Sequence, residues 1–381
     1  MNVLVDCTQI TKTKAGVGVY ALNLTRELTR RQHSRGFRMW LLVQDDDPDF
    51  AFDHEDVKVL RVSSKLFRFL PLRLLMEQLY IPWLTNKHKI DLVHSLHYSF
   101  PLAKIRARRL VTIHDMTSFI MPQVHLAIKV FYFRFFIRAA SHLADTLIFD
   151  SQSTLDDYRH YFPNAQKPTY VAHLGKAPIF RSDLDSEKTQ QILQKYQLVK
   201  PYILYIGTIE PRKNLVRLVE AFHRIAQLCP KHNLVIAGMK GWMYDDLFET
   251  VHRLKLESRV VFAGFVAEED KPYVISGAEV FAYPSLYEGF GIPVLEALAC
   301  GTPTLAGNRS SLPEVAGDAA LLVNPESVDD IATNLNRLLT DIPLRDSLRN
   351  KAVQQAERFS WCRTAEETLR AYFQGPHTPV L

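Results

Sequence analysis

The chain has 381 residues, 47% of them apolar and 23% charged, a balance that fits a folded globular enzyme and excludes collagen-like and disordered classes. Its net charge of +5 is too mild for a nucleic-acid partner. That charge is uneven: residues 1–198 hold 27 Lys and Arg against 19 Asp and Glu, a surplus of +8, while residues 199–381 hold 19 against 22, or −3.

The longest uncharged run, Met116 to Ile128, has 13 residues, short of the roughly 18 apolar residues of a spanning helix. The opening Met-Asn-Val-Leu-Val-Asp carries no basic stretch before Asp6, so no secretory signal is expected. Cys7, Cys229, Cys300 and Cys362 lie far apart and read as packing residues in a reduced cytoplasmic setting.

In chain order, strands are expected at Val3–Asp6, Arg38–Val43, Val57–Val62, Asp91–Ser95, Leu110–His114 and Thr146–Asp150, with helices near 18–32, 66–80 and 127–143. A polar stretch at 181–200 precedes a second series at Tyr202–Gly207, Asn233–Gly238, Val260–Gly264, Glu279–Pro284, Thr302–Gly307 and Ala319–Val323. Between these strands, Asn214–Cys229 places Leu215, Leu218, Val219, Phe222, Ile225 and Ala226 on one helical face. Such alternation predicts an α/β protein with two doubly wound parallel sheets, whose ligands bind beyond the carboxyl ends of the strands. The expected domains are 1–190 and 199–358, with a helical tail at 359–381 that folds back on the first.

Two loops carry the chemistry. In Gly207-Thr208-Ile-Glu-Pro-Arg212-Lys213-Asn214 a strand ends and a helix begins. Asn214 is the expected N-cap, and two cations beside helix amides suit a diphosphate. In Pro284-Ser285-Leu-Tyr-Glu288-Gly289-Phe290-Gly291-Ile292-Pro293-Val-Leu-Glu296 a glycine-bearing loop leads into a helix. Its glycines let backbone approach a ligand, and Glu288 and Glu296 offer carboxylates to sugar hydroxyls. Alone, the two acids read equally as solvent-facing; with Arg212 and Lys213 from another corner of the same sheet, they describe a nucleotide-sugar site that needs no metal.

These motifs, with Ala-Cys-Gly-Thr-Pro at 299–303 and Ser-Leu-Pro-Glu-Val at 311–315, resemble the retaining glycosyltransferases of family 4, strongly over 200–335 and weakly before. The resemblance implies the GT-B fold, two Rossmann-like domains facing a central cleft. It implies that Arg212 and Lys213 hold the donor diphosphate and that Glu288, Ser285 and the Gly289–Ile292 backbone meet the transferred sugar. It further implies that Glu296 binds the ribose, Thr208 lines the donor site, and Phe265 and Val266 receive the base. In the first half, Lys14-Ala-Gly16-Val-Gly18 matches the family's glycine loop, with Gly-x-Gly where Gly-Gly is familiar, and His114 matches a position near the reaction centre. The other reading of His114 is a strand-end histidine paired with an acid, with Asp115 capping a turn.

Other signals carry less. Gly16-x-Gly18-x-x-Ala21 arrives too late after the first strand for a dinucleotide fingerprint. Asp45-Asp46-Asp47 marks a strand exit rather than a metal triplet, and His94 and His97 lack a third ligand. The basic and aromatic segments 65–84 and 129–138 fit either core helices with snorkelling cations or a peripheral surface meeting anionic lipid.

The expectation is therefore a cytoplasmic or inner-face peripheral hexosyltransferase without a cofactor. It takes a nucleotide sugar, most like GDP-mannose, to a glycan or lipid-linked saccharide of surface polysaccharide or lipopolysaccharide. GDP-rhamnose or a UDP-hexose are alternative donors, and a catalytically silent nucleotide-sugar-binding subunit is the alternative of another class.

Overall fold

A computed structural model describes residues 1–10, 14, 16–50 and 57–374. Ala15 of the glycine loop and the tail beyond 374 lie outside them. The chain forms two compact units, Met1–Gly175 with Trp361 onward, and Lys176–Ser360.

In the first unit, β1 (Asn2–Asp6), β2 (Arg38–Gln44), β3 (Lys58–Val62), β4 (Leu92–Ser95), β5 (Arg108–Ile113), β6 (Thr146–Phe149) and β7 (Thr169–Val171) form one parallel sheet in the order β3-β2-β1-β4-β5-β6-β7. Six of these strands match expectation within two residues. β7 is a three-residue edge strand with no fully buried side chain, so its sequence carries no apolar run. The helix expected at 66–80 is two helices, Ser64–Phe67 and Leu70–Lys87. Pro71 is the cause: it has no N–H to bond the Phe67 carbonyl four residues back and its ring clashes there, yet it fits the first turn of a new helix.

The helix Trp361–Phe373 also belongs to this unit and packs on the helix Val17–Arg31. Arg31 reaches Glu366 at 3.2 Å, and Arg108 donates to the carbonyls of Tyr372 at 2.8 Å and Ala371 at 3.2 Å. Tyr372 is fully buried, with its hydroxyl 2.8 Å from Nδ1 of His94.

In the second unit, β8 (Tyr202–Ile206), β9 (Asn233–Ala237), β10 (Val260–Gly264), β11 (Val280–Tyr283), β12 (Thr304–Gly307) and β13 (Leu321–Val323) are also all parallel, in the order β10-β9-β8-β11-β12-β13. The four inner strands β9, β8, β11 and β12 are buried on both faces and read as continuous apolar runs, as sheets covered by helices must, while the edge strands β10 and β13 are partly exposed. The polar stretch 181–200 lies in this unit, where Ser186–Lys195 packs on Lys271–Gly277.

Each sheet reverses its direction of winding once, between β1 and β4 in the first unit and between β8 and β11 in the second. Crevices at the carboxyl ends of such paired strands are where open α/β sheets hold ligands. Both chemistry-bearing loops lie there, one leaving β8 and the other β11.

Candidate active site

The loop from β8 turns through Pro211–Lys213 before the helix Leu215–Ile225. Asn214 is not the side-chain N-cap expected of it. It adopts left-handed backbone at φ 62°, and its amide donates to the carbonyls of Pro284 and Pro325, at 3.0 and 2.5 Å. Asn tolerates this conformation better than most residues, and its side chain ties the β8 loop to the β11 loop.

That tie brings four charges together. Arg212 donates to Oε2 of Glu288 at 2.6 Å, to Oε1 of Glu210 at 2.7 Å and to the Tyr287 carbonyl at 2.8 Å. Lys213 donates to Oε1 of Glu288 and to the Tyr283 hydroxyl, each at 2.7 Å. Ser285 also donates to Oε1 of Glu288 at 2.7 Å, and the Glu288 amide donates to Ser310. Glu210, Lys213 and Glu288 are buried, as is Glu296, so the solvent-facing reading of the Glu288 and Glu296 pair does not hold.

Burial would raise the Glu288 pKa, but Arg212 and Lys213 overcome it and hold the carboxyl at about 2. Burial and neighbouring Arg212 together lower the Lys213 pKa. The cluster thus balances two cations with two carboxylates. An incoming diphosphate would compete with Glu210 and Glu288 for donors that are already fixed in place.

Beyond Glu288, Gly291 caps the helix Ile292–Ala299 at φ 106°, and a Cβ there would stand 2.7 Å from Leu312. Only glycine meets both demands without strain. Ser311 is fully buried, and its one hydroxyl proton is shared between the Glu288 and Phe290 carbonyls, at 3.0 and 2.7 Å, fixing the loop from behind. Thr208 is half-buried, with its carbonyl accepting from Tyr205 at 3.0 Å.

Glu296 lies one turn into that helix and forms a second pole. It is buried, and burial, reinforced by Glu268 and opposed by Lys271, pushes its pKa up to about 7. Lys271 opens the helix that follows β10, after Phe265, which is exposed, and Val266, which is buried. A cavity of about 620 Å³ lined by Ser276, Thr302 and Arg349 sits at the amino end of β12 instead. It shares none of these charged groups.

Gly16, Gly18 and His114 fold in the first unit. Gly16 begins the helix Val17–Arg31 at φ 43°. His114 follows β5, with Nδ1 2.7 Å from Asp150 and Nε2 2.7 Å from the Leu96 carbonyl. Burial opposes its protonation, but Asp150 and the Leu96 carbonyl raise its pKa. The acid partner comes from the end of β6 rather than from adjacent Asp115, which caps Thr117 at 3.0 Å. His94 bonds Tyr372 and Thr112, and among the described residues no group of three acids, histidines or cysteines is placed to hold a metal.

Comparison with known proteins decides the family. Residues 15–175 match the model for Glycosyltransferase Family 4, and residues 187–355 the model for Glycosyl transferases group 1. The chain is 30% identical to the O-antigen chain mannosyltransferase B of Escherichia coli across 98% of its own length and 99% of that relative. It is a family 4 glycosyltransferase.

A serotype-specific mannosyltransferase of Escherichia coli, WbdA, is 34% identical over half of this glycosyltransferase, a match that covers 24% of that longer protein. Among solved structures, sucrose-phosphate synthase from Thermosynechococcus elongatus superposes with a TM-score of 0.75 at 20% identity, covering 98% of both chains. Anabaena HepE, solved with UDP and glucose, gives 0.74 at 18%, covering 97% of this chain and 98% of that one. The fold is GT-B, as the motifs implied.

Sequence reading missed four members of the glycosyltransferase's charged centre and its surroundings. Glu210 lay inside the quoted motif but carried no role, and Tyr283 read as a plain strand residue. Ser310 and Lys271 come from other loops, and nothing in their local sequence announces a partner.

Proposed function

We propose that this glycosyltransferase moves mannose from GDP-mannose, with retention, to a glycan or lipid-linked saccharide of O-antigen or related surface polysaccharide. Full-length likeness to a named O-antigen mannosyltransferase supports the sugar and the pathway class. The single observation that carries the chemistry is the ion-paired group of half-buried Arg212 with buried Lys213, Glu210 and Glu288 at the switch point of the second sheet.

In this reading Arg212 and Lys213 receive the donor diphosphate as it departs. Because they are held in place before the reaction, stabilising the developing charge requires little reorganisation. Two fixed cations supply the counter-charge, so transfer proceeds without a metal cofactor. Glu288, Ser285 and the Gly289–Ile292 backbone, with Phe290 buried behind them, position the hexose. Glu296 accepts from the ribose, Phe265 and Val266 border the base, and Thr208 lines the donor site. Gly16, Gly18 and His114 act from the first unit on the diphosphate and the transferred sugar. Peripheral contact with an anionic membrane accompanies a lipid-linked acceptor, and no helix among the described residues is long and apolar enough to cross one.

A thermal-shift panel of GDP and UDP sugars, followed by a donor-hydrolysis assay, tests the reading. GDP-mannose should give the largest shift and slow hydrolysis. A larger shift with a UDP sugar overturns the donor, and binding without hydrolysis or transfer overturns the enzymatic role in favour of a silent binding subunit.

A further inference from the structure

Strands β5 and β6 run in register, with Leu110 beside Thr146 and Ile113 beside Phe149. The residues that follow the two strands therefore stand side by side, and His114 meets Asp150, both buried. Nδ1 of His114 lies 2.7 Å from Oδ2 of Asp150, and Nε2 lies 2.7 Å from the carbonyl of Leu96, just past β4. One ring is thus pinned across three neighbouring strands.

The partners dictate where the hydrogens are. A carbonyl oxygen only accepts, so Nε2 carries a hydrogen. At Nδ1 the choice is between an imidazolium facing a carboxylate and a neutral ring facing a carboxylic acid. An ordinary histidine holds its proton to about pH 6.5 and an ordinary aspartate only to about 3.9, so the ring keeps it. Burial works against both charges, but each supports the other across the shared bond, and Asp115 adds to the pull on His114. Oδ1 of Asp150 has no hydrogen-bond partner among the described residues, so the bond to His114 is the one that fixes the carboxylate.

His94 makes the contrast. Its nitrogens meet the hydroxyls of Tyr372 and Thr112, each at 2.8 Å, and a hydroxyl donates as readily as it accepts. That ring is satisfied while neutral, and burial, with His114 adding to it, lowers its pKa to about 3. Burial, His114 and Arg73 likewise lower the pKa of His97, whose ring stands 5.9 Å from that of His114. Of these three histidines, His114 is the one whose two nitrogens both face groups built to accept. Tyr20, from the helix Val17–Arg31, packs edge-on against it at 5.1 Å between ring centroids, and Tyr98 does so at 6.1 Å. His173, beyond β7, acts on the far side of the pair through Asp150.

We infer that Asp150 is a positioning residue for transfer: it locks His114 as an imidazolium with both ring protons committed, so that the ring serves as a fixed positive charge and not as a base. The inference rests on the glycosyl-transfer reading above, in which His114 acts on the diphosphate and the transferred sugar. Neither ring nitrogen keeps a lone pair with which to take the acceptor's proton. In the transfer step the bond between the anomeric carbon and the diphosphate oxygen breaks, and its electron pair leaves on that oxygen. The acceptor oxygen bonds the same carbon, and its proton passes to the departing diphosphate. A buried charge oriented beforehand stabilises that departing anion with little reorganisation.

Nitrogen-15 NMR of the histidine rings in the whole protein, read beside GDP-mannose hydrolysis and transfer kinetics, tests it. In the wild type at neutral pH both His114 nitrogens should give the shifts of protonated nitrogens, assigned by their loss in His114→Asn, while His94 gives one protonated and one bare nitrogen. Asp150→Asn keeps the side-chain shape and can donate its amide hydrogen to a bare Nδ1, so the ring should hold its orientation but become neutral. That variant should lose about a hundredfold in kcat, the effect of removing one oriented electrostatic group, with KM for GDP-mannose unchanged. Without Asp150, burial is left to lower the His114 pKa, so the alkaline fall in kcat should move to lower pH. A structural role alone would lower the melting temperature and leave that fall where it is. If Asp150→Asn does not fold, the wild-type nitrogen shifts decide. A bare Nδ1 on wild-type His114 at neutral pH, or a folded Asp150→Asn with wild-type kcat or an unmoved alkaline fall, overturns the inference. GDP-mannose hydrolysis by the wild type is scored separately: its absence sinks the transfer reading, whereas its presence beside any of those results sinks only this one.

Discussion

The ammonium of Lys213 stands 2.7 Å from Oε1 of Glu288, both groups buried and each the product of a different βα loop. An interior charge of this kind is tolerated only while its partner remains. Glu288 is therefore a structural keystone of the β8 and β11 loops as well as a candidate contact for the transferred sugar.

Two variants separate those roles. Glu288→Ala strands Lys213 and should destabilise the second unit by about 3–5 kcal/mol, the usual cost of breaking a buried pair. Glu288→Gln keeps hydrogen-bonding capacity, so it should lose less stability than Glu288→Ala while still losing most transfer. Denaturant titration beside a transfer assay reads both, and wild-type turnover in Glu288→Gln removes the residue from the reaction.

The same pair sets acid stability. The Glu288 carboxyl titrates at about 2 in the folded protein against 4.5 for an ordinary glutamate, so the folded state binds fewer protons than the unfolded chain. Its contribution, about 3 kcal/mol by linkage, is complete above pH 4.5 and is lost as pH falls toward 2. Glu288→Gln should flatten that part of the stability curve measured by chemical denaturation.

Glu296 behaves in the opposite sense. Its folded pKa of about 7 lies above 4.5, so its contribution to stability is present at low pH and declines as pH rises from about 4.5 to 7. Donor binding should follow the ionised form, since ribose hydroxyls donate more strongly to a carboxylate. Calorimetry should show GDP-mannose affinity rising through neutrality, and Glu296→Gln should remove that rise. An unchanged pH profile in the variant separates Glu296 from the ribose.

In the first unit, Tyr372→Phe removes the hydroxyl 2.8 Å from Nδ1 of His94. Burial, with His114 adding to it, lowers the His94 pKa to about 3, so the ring is neutral and its other nitrogen already bonds Thr112 at 2.8 Å. Leaving Nδ1 unpaired should cost about 1–3 kcal/mol. A shift in the denaturation midpoint with donor hydrolysis retained is the expected result.

Strands were the most legible part of the sequence because a sheet buried on both faces demands uninterrupted apolar runs, and Val3–Asp6 or Tyr202–Gly207 can be little else. Arg212, Lys213 and Glu288 were visible through their motifs, and the structure brings them together. What local sequence does not encode is partnership across elements. Asn214 has the composition of a helix cap, but it bonds the carbonyls of Pro284 and Pro325, 70 and 111 residues away. Asp150 was an ordinary strand-end acid until β5 and β6 paired in register and set it against His114. The helix break at Phe69, by contrast, was legible in Pro71 and turned on that residue's missing N–H and its ring.

The return of Trp361–Phe373 to the first unit makes the second unit an insertion within the first, entered at Gly175 and left at Ser360. On the ribosome, Val17–Arg31, β6 and β7 must wait for 185 residues of the intervening unit before their last packing partner emerges. Synthesis order and completion order are thus reversed. The later-made unit can close first, while the earlier one holds open a buried site for Tyr372 until the last helix emerges.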